Sequence, residues 1–181
     1  MKIALLSLMF LLGTPTIEVE GVAFQRSLKS ANQTLDLVGA SGFTYALIFD
    51  VLSGGIYLPA GTPPGDFPKA TEKALVLSYK RSFSSEELRE VTANLFQRNT
   101  PKPLAKELEA DLQAFNALYQ DIQPGDRYQL TLSRGQGLEL SLNGKSVGLI
   151  KNPKFGMAVF NIWFGENPFN NAFREQLLKG I

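Results

Sequence analysis

Alternating apolar and polar positions predict a series of β-strands along this chain. The alternation is strongest in four segments that place an apolar residue at every second position: 17–24, 33–38, 74–80 and 127–133. Residues 43–58 are rich in β-branched and aromatic residues and are interrupted near Asp50 and at Gly54-Gly55, which predicts either two strands or one strand with a bulge at the glycines. Upstream, the residues from Gly39 to Gly42 predict a flexible bend, and 59–69, with four prolines, predicts a loop.

The apolar period then changes from two to nearly four, which predicts helices. Ser84 or Ser85 can cap the first helix, and Glu86 and Glu87 favour its positive end. A second helix is predicted over 103–120, with a buried stripe of five residues four or three apart: Leu104, Leu108, Leu112, Phe115 and Tyr119. Two further helices are predicted over 155–164 and 169–179.

Between these helices, three short strands form a predicted meander. The segment 127–133 leads through a glycine-rich turn into 138–142, and Asn143-Gly144 then predicts a tight hairpin to 146–150. Strands, then helices, then strands, then helices indicate the α+β fold class with a mostly antiparallel sheet. No linker interrupts the pattern, so 17–181 is predicted to form one domain.

The first residues have the layout of a secretory signal peptide. Lys2 supplies a positive charge, 3–12 is an apolar run, and small or turn-forming residues follow to Thr16. The run is too short to span a bilayer, and no later segment is long and apolar enough to do so. We therefore expect residues 1–16 to be removed and the domain to be periplasmic or otherwise exported.

The composition excludes several classes of function. The chain has no His and no Cys, which excludes His or Cys metal ligands, a Ser-His-Asp triad and a Cys nucleophile. We predict no metal, no cofactor and no catalytic residue. A net charge of +1 argues against a nucleic-acid partner. Trp163 lies among apolar residues, which favours a place in the core over contact with a ligand.

Five segments resemble the chalcone isomerase-like family, in particular its bacterial exported branch. They occur in the family's order and spacing over nearly the whole predicted domain: 19–24 (VEGVAF), 56–59 (IYLP), 125–128 (GDRY), 142–145 (LNGK) and 162–168 (IWFGENP). The resemblance implies an antiparallel sheet with helices packed on one face and a ligand cleft between them. It also implies one of two activities, either ring closure of a chalcone or non-catalytic binding of a fatty acid.

Four positions correspond to the polar ligand set that the resemblance implies. Thr44 falls where the family has Arg, Leu52 where it has Thr, and Asn94 where it has Asn, while Tyr57 lies in the carrying segment 56–59. Glu87 falls where the family has a helix Tyr. An anion buried without a cation bears a large desolvation penalty, so the loss of Arg is the serious change.

Three functions remain open at this point. The first is a non-catalytic domain that binds a small apolar or amphipathic ligand, fatty-acid-like, in the cleft. The second is an intramolecular lyase of the chalcone isomerase type that uses Thr44, Tyr57 and Asn94 as hydrogen-bond donors. The third is a structural or interaction module of the envelope, with an unidentified protein partner.

Overall fold

A seven-stranded antiparallel sheet forms the centre of the molecule. The computed structural model describes residues 15–45 and 49–181. Residues 1–14 of the predicted signal peptide lie outside the described residues. The strands in that part of the chain are β1 Thr16–Val19, β2 Val22–Gln25, β3 Ser27–Lys29, β4 Thr34–Tyr45, β5 Phe49–Pro59, β6 Lys73–Tyr79, β7 Arg127–Ser133, β8 Gly137–Leu142 and β9 Lys145–Ile150.

Strands β3 to β9 pair in chain order, each antiparallel to the next, while β1 and β2 form a separate hairpin. The helices are α1 Ser85–Asn99, α2 Lys102–Glu107, α3 Glu109–Asn116, α4 Pro153–Phe164 and α5 Asn171–Lys179, with a 3-10 helix at Pro64–Lys69. The predicted α+β class with a mostly antiparallel sheet is confirmed. No helix in the described residues is long and apolar enough to cross a membrane.

The α-helices pack on one face of the sheet, here called the inner face, as predicted. Side chains of α1, α3, α4 and α5 join the larger buried cluster there with every second residue of β5 and β6, such as Ile56 and Leu75. The opposite, outer face carries a smaller cluster around Phe24 of β2 and Tyr57 of β5. The hairpin β1–β2 therefore covers part of the outer face.

Two strand predictions were wrong in detail. The segment predicted as one strand over 17–24 is the hairpin β1–β2, which turns at Glu20 and Gly21 with φ of 49° and 75°. The predicted bend at 39–42 belongs to β4, because the glycines there make room for neighbours. A Cβ at Gly39 would overlap the backbone carbonyl of Leu177 in α5, and one at Gly42 would overlap the Glu20 carboxylate.

The glycine pair lies in a regular part of β5. Gly54 and Gly55 pair in register with both neighbouring strands, and the extra residues at the two register shifts are instead Val38 in β4 and Val51 in β5. A Cβ on Gly54 would lie 2.6 Å from Cζ of Phe173, and one on Gly55 would lie 2.8 Å from Cδ1 of Phe24. The pair thus lets an aromatic ring pack on each face of the sheet.

The first helix begins as predicted, but the second is divided. The Ser84 hydroxyl accepts a hydrogen bond from the Glu87 backbone N–H, and the Glu87 carboxylate accepts one from the Ser84 N–H. The segment predicted as one helix over 103–120 is α2 and α3, which meet at Leu108 with φ of −94° and ψ of 8°. The predicted loop at 59–69 contains the 3-10 helix.

Candidate functional site

A cavity lies between the inner face of the sheet and helices α1 and α4. Strands β5 to β8 form its floor. Aromatic residues close its sides, from the segments just before α1, just after α3 and at the end of α4. Its lining consists of Val51, Leu52, Leu77, Tyr79, Phe83, Glu87, Leu88, Val91, Thr92, Leu95, Tyr119, Tyr128, Leu130, Leu140, Val159, Ile162, Trp163 and Phe169.

This cavity is apolar and large enough for an organic molecule. The space that the centre of a water molecule can reach is about 130 Å³. Engineered apolar cavities of about 150 Å³ stay dry and accept benzene or xenon. Val91 of α1, which lines the cavity, is 49% exposed, so the cavity opens towards solvent beside this residue.

Hydroxyl groups supply most of the polarity of the lining. The Thr92 and Tyr119 oxygens lie 3.0 Å apart, and either can be the donor. The Tyr128 hydroxyl donates to the Gln120 carbonyl and accepts from the Gln120 N–H. Tyr79 also lines the cavity, and its hydroxyl takes part in none of the hydrogen bonds between described residues.

The three tyrosines form one aromatic group whose hydroxyls stay protonated. Tyr128 packs edge to face against both Tyr79 and Tyr119, with ring centroids 6.3 and 5.4 Å apart. Burial raises the pKa of Tyr79, and its charge interactions with Tyr119 and Tyr128 raise it further. Burial likewise raises the pKa of Tyr119 and of Tyr128. At neutral pH these groups are donors and acceptors of hydrogen bonds, not anions.

Glu87 is the charged residue of this lining, and it lies at the exposed edge. Its carboxylate accepts from the N–H and the hydroxyl of Ser84 at 2.7 and 2.8 Å. These hydrogen bonds lower the pKa of Glu87, and the nearby charge of Arg81 lowers it further. Glu87 is thus an anion at neutral pH, with its charge turned towards the helix start and Arg81.

The structure brings one of the four sequence-predicted ligand positions into the cavity. Leu52 is buried in the lining. Tyr57 is buried in the outer-face cluster, because its position differs from that of Leu52 by an odd number along β5, where side chains alternate between the two faces. Thr44 on β4 and Asn94 on α1 are exposed and lie outside the lining.

Sequence reasoning missed most of the residues that give this cavity its polarity. Thr92 lies one residue after Val91, on the face of α1 that also carries Leu88 and Leu95, so helical spacing contained a signal. Trp163 is half-buried and packs against Phe169, with ring centroids 5.1 Å apart, at the wall of the cavity. Trp163 thus packs against the core, as predicted, but it also lines the cavity.

Comparison with known proteins identifies the family. The family model described as chalcone isomerase-like matches residues 16–179. The chain belongs to the chalcone isomerase-like family. This membership agrees with the segments noted in the sequence and with the position of the cavity between sheet and helices. None of the curated proteins compared matches the chain.

Among solved structures, this chalcone isomerase-like chain is similar to a fatty-acid binding protein of Arabidopsis thaliana. The two share 19% sequence identity, with a TM-score of 0.63 over 91% of this chain and 96% of the plant protein. At this identity the similarity demonstrates a common fold. Among the described residues, no three carboxylates lie close enough together to hold a metal ion.

Proposed function

We propose that this chain is a non-catalytic binding protein for a small apolar or amphipathic molecule, fatty-acid-like in carrying a hydrocarbon chain. The observation that carries the proposal is the apolar cavity beside Val91, closed by helices on one side and sheet on the other. An apolar cavity with a few hydroxyls inside is the usual form of a small-molecule site. The structurally similar plant protein is a fatty-acid binding protein, which supports the same class of ligand.

The chemistry of the lining favours binding over catalysis. General acid–base catalysis needs a group whose pKa lies near the working pH. The tyrosine pKa values are raised by burial, and the pKa of Glu87 is lowered by its hydrogen bonds. In the described lining, no group therefore exchanges a proton readily at neutral pH.

The test is a titration of delipidated protein with ten-carbon amphiphiles, followed by tryptophan fluorescence. Trp163 is the single tryptophan of the chain and lies at the cavity wall, so its emission reports occupancy directly. We expect a saturable change in emission and a matching heat in calorimetry. A flat signal with all amphiphiles up to their solubility limits would contradict the proposal.

A pair of variants tests whether the ligand lies in this cavity. Leu95→Phe fills part of it from α1, and Leu104→Phe makes the same change at a half-buried position on α2 outside the lining. We expect Leu95→Phe to weaken binding about tenfold or more, because each methylene kept out of apolar contact forfeits about 0.8 kcal/mol. Equal affinities in the two variants would place the ligand elsewhere.

We further propose that the protein is exported and belongs to the bacterial exported branch of the family. The support is the N-terminal pattern of Lys2, the apolar run 3–12 and the small residues that follow. Mass spectrometry of the protein from a bacterial periplasmic extract should find a chain that begins near residue 17. Recovery of the full-length chain in the cytoplasm alone would exclude export.

A further inference from the structure

The polar groups of the cavity differ from those that a free fatty acid requires. Among the described lining residues, the charged side chain is an anion, Glu87, and no Lys or Arg joins it. Residues 46–48, which lie outside the described part of the chain, are Ala, Leu and Ile and add no charge. A carboxylate inside this space would lose its hydration without gaining a cation.

We propose that the cavity selects amphiphiles whose polar end is uncharged, such as an alcohol or an ester, and discriminates against free carboxylates. This inference rests on the proposed binding function and names the class of ligand for that same cavity. Neutral oxygen groups match the hydroxyls of the lining. They need no counter-ion, and a few hydrogen bonds suffice to offset their desolvation.

The hydroxyls of Tyr79, Thr92 and Tyr119 supply both donors and acceptors for such a group. In the Thr92–Tyr119 pair one hydroxyl donates to the other at 3.0 Å, which leaves the second hydrogen of the pair free to point at a ligand oxygen. Tyr79 adds another hydroxyl with no hydrogen bond to the described residues. An alcohol or an ester carbonyl can therefore be bonded without any charged partner.

At the edge of the cavity, the charged groups of the described residues do not supply the missing positive charge. Arg81 lies close enough to Glu87 to lower the pKa of that carboxyl. The positive charge of Arg81 is therefore offset by the negative charge of Glu87. Further along α1, Arg89 donates to the carbonyls of Asn116 and Tyr119 at 3.0 and 3.3 Å. These contacts hold its guanidinium against the backbone near the end of α3, away from the cavity interior.

The decisive experiment compares three ligands with the same hydrocarbon chain at pH 7.5, where decanoate is ionised. We expect 1-decanol and methyl decanoate to shift Trp163 fluorescence saturably, and decanoate to bind at least about tenfold more weakly, because its charge is buried without a partner. Decanoate binding within about twofold of the ester would overturn this inference and leave the proposed function standing. Failure of all three ligands would instead overturn the proposed function.

Two charge variants test the physical cause. Val91→Lys places a cation at the mouth of the cavity on an exposed helical position, while Asn94→Lys adds the same charge on the same helix outside the lining. We expect Val91→Lys to raise the affinity for decanoate about two- to fivefold, the range of a partly exposed ion pair. Asn94→Lys should leave it unchanged. Equal gains in both variants would show a general charge effect and contradict the inference.

Two tyrosine variants test the hydroxyls. Tyr79→Phe removes one hydroxyl from the lining, and Tyr57→Phe removes one from a buried tyrosine on the outer face. We expect Tyr79→Phe to weaken 1-decanol binding about threefold, which corresponds to one neutral hydrogen bond. Tyr57→Phe should have no effect on binding. A loss of the same size in both variants would mean that stability, and not contact with the ligand, causes the change.

Discussion

At the scale of single residues, Lys73 is the most unusual group in the core. Its side chain is fully buried on the inner face of β6. The ammonium nitrogen donates to the carbonyls of Phe67 and Pro68, each at 3.1 Å, and lies 4.6 Å from the ring centroid of Phe160. Burial lowers the pKa of Lys73 to about 7. Lys73 thus ties the 3-10 helix to the sheet at the expense of a buried charge.

This residue predicts a pH dependence of stability. In the unfolded chain Lys73 has its ordinary pKa of 10.5, so between about pH 7 and 10.5 the unfolded state holds a proton that the folded state has released. The free energy of unfolding should therefore rise with pH across that window, by up to about 1.4 kcal/mol per pH unit, and stay flat with respect to this group below it. Above about pH 10 the buried tyrosines reverse the trend, because their pKa values are raised in the fold.

Urea denaturation between pH 7.5 and 9.5 isolates this contribution. Lys73→Met should remove the rise with pH, while Lys69→Met, a change at an exposed lysine of the 3-10 helix, should retain it. A rise of the same size in Lys73→Met would assign it to another group.

The candidate site shows which residues could be predicted from the sequence. The period-two rule places Leu52 and Tyr57 on opposite faces of one strand, and helical spacing separates Asn94 from the stripe Leu88, Val91 and Leu95. Matching single positions to a family motif does not take into account the face of the strand or helix on which each side chain lies. The Thr92–Tyr119 pair could not be predicted in this way, because its geometry depends on how the chain turns between α1 and the end of α3.

At the scale of elements, helix α5 packs directly on the backbone of β4. A Cβ on Gly39 would overlap the carbonyl of Leu177, and it would also lie 3.2 Å from Cγ1 of Ile56. The overlap is with backbone on one side, so rotation of a flexible side chain cannot relieve it. The position of α5 therefore depends on the absence of a side chain at Gly39.

Gly39→Ala should destabilise the fold by about 1–3 kcal/mol, the usual cost of overpacking, since α5 must move away from β4. Gly65→Ala is the matched control, because a Cβ there meets no atom within 4 Å. Thermal denaturation of both variants provides the measurement. A Gly39→Ala melting temperature equal to that of Gly65→Ala would disprove the close contact.

The same contact explains where the element predictions succeeded and failed. Local signals predicted β7, the Asn143-Gly144 turn and a helix cap at Ser84 or Ser85, which lies at Ser84, because each depends on neighbours in the chain. The segment 39–42 resembled a bend because glycine is common in turns. Its glycines instead leave space for Leu177 and Glu20, which are distant in sequence. Local composition cannot predict such contacts.

At the scale of the whole molecule, one sheet separates two apolar clusters. The inner cluster includes most of the apolar cavity lining, while on the outer face Phe24 of the hairpin β1–β2 packs with Leu37 and Tyr57 of the sheet. The family resemblance implied helices on one face of the sheet, and the single strand predicted over 17–24 did not indicate that β1 and β2 fold back as a pair. Because the helices cover the inner face and the hairpin covers the outer face, every residue of β6 from Lys73 to Tyr79 is buried.

The order of the strands has a consequence for folding kinetics. Neighbouring strands are consecutive in the chain, but the path from β6 to β7 crosses the whole segment 80–126, and the lining extends from Val51 to Phe169. Such distant closure costs loop entropy, so we expect the cavity to form after the transition state for folding. Saturating 1-decanol should then slow unfolding in stopped-flow denaturation and leave the refolding rate unchanged. A bound ligand would therefore increase the kinetic stability of the protein by lengthening the lifetime of the native state.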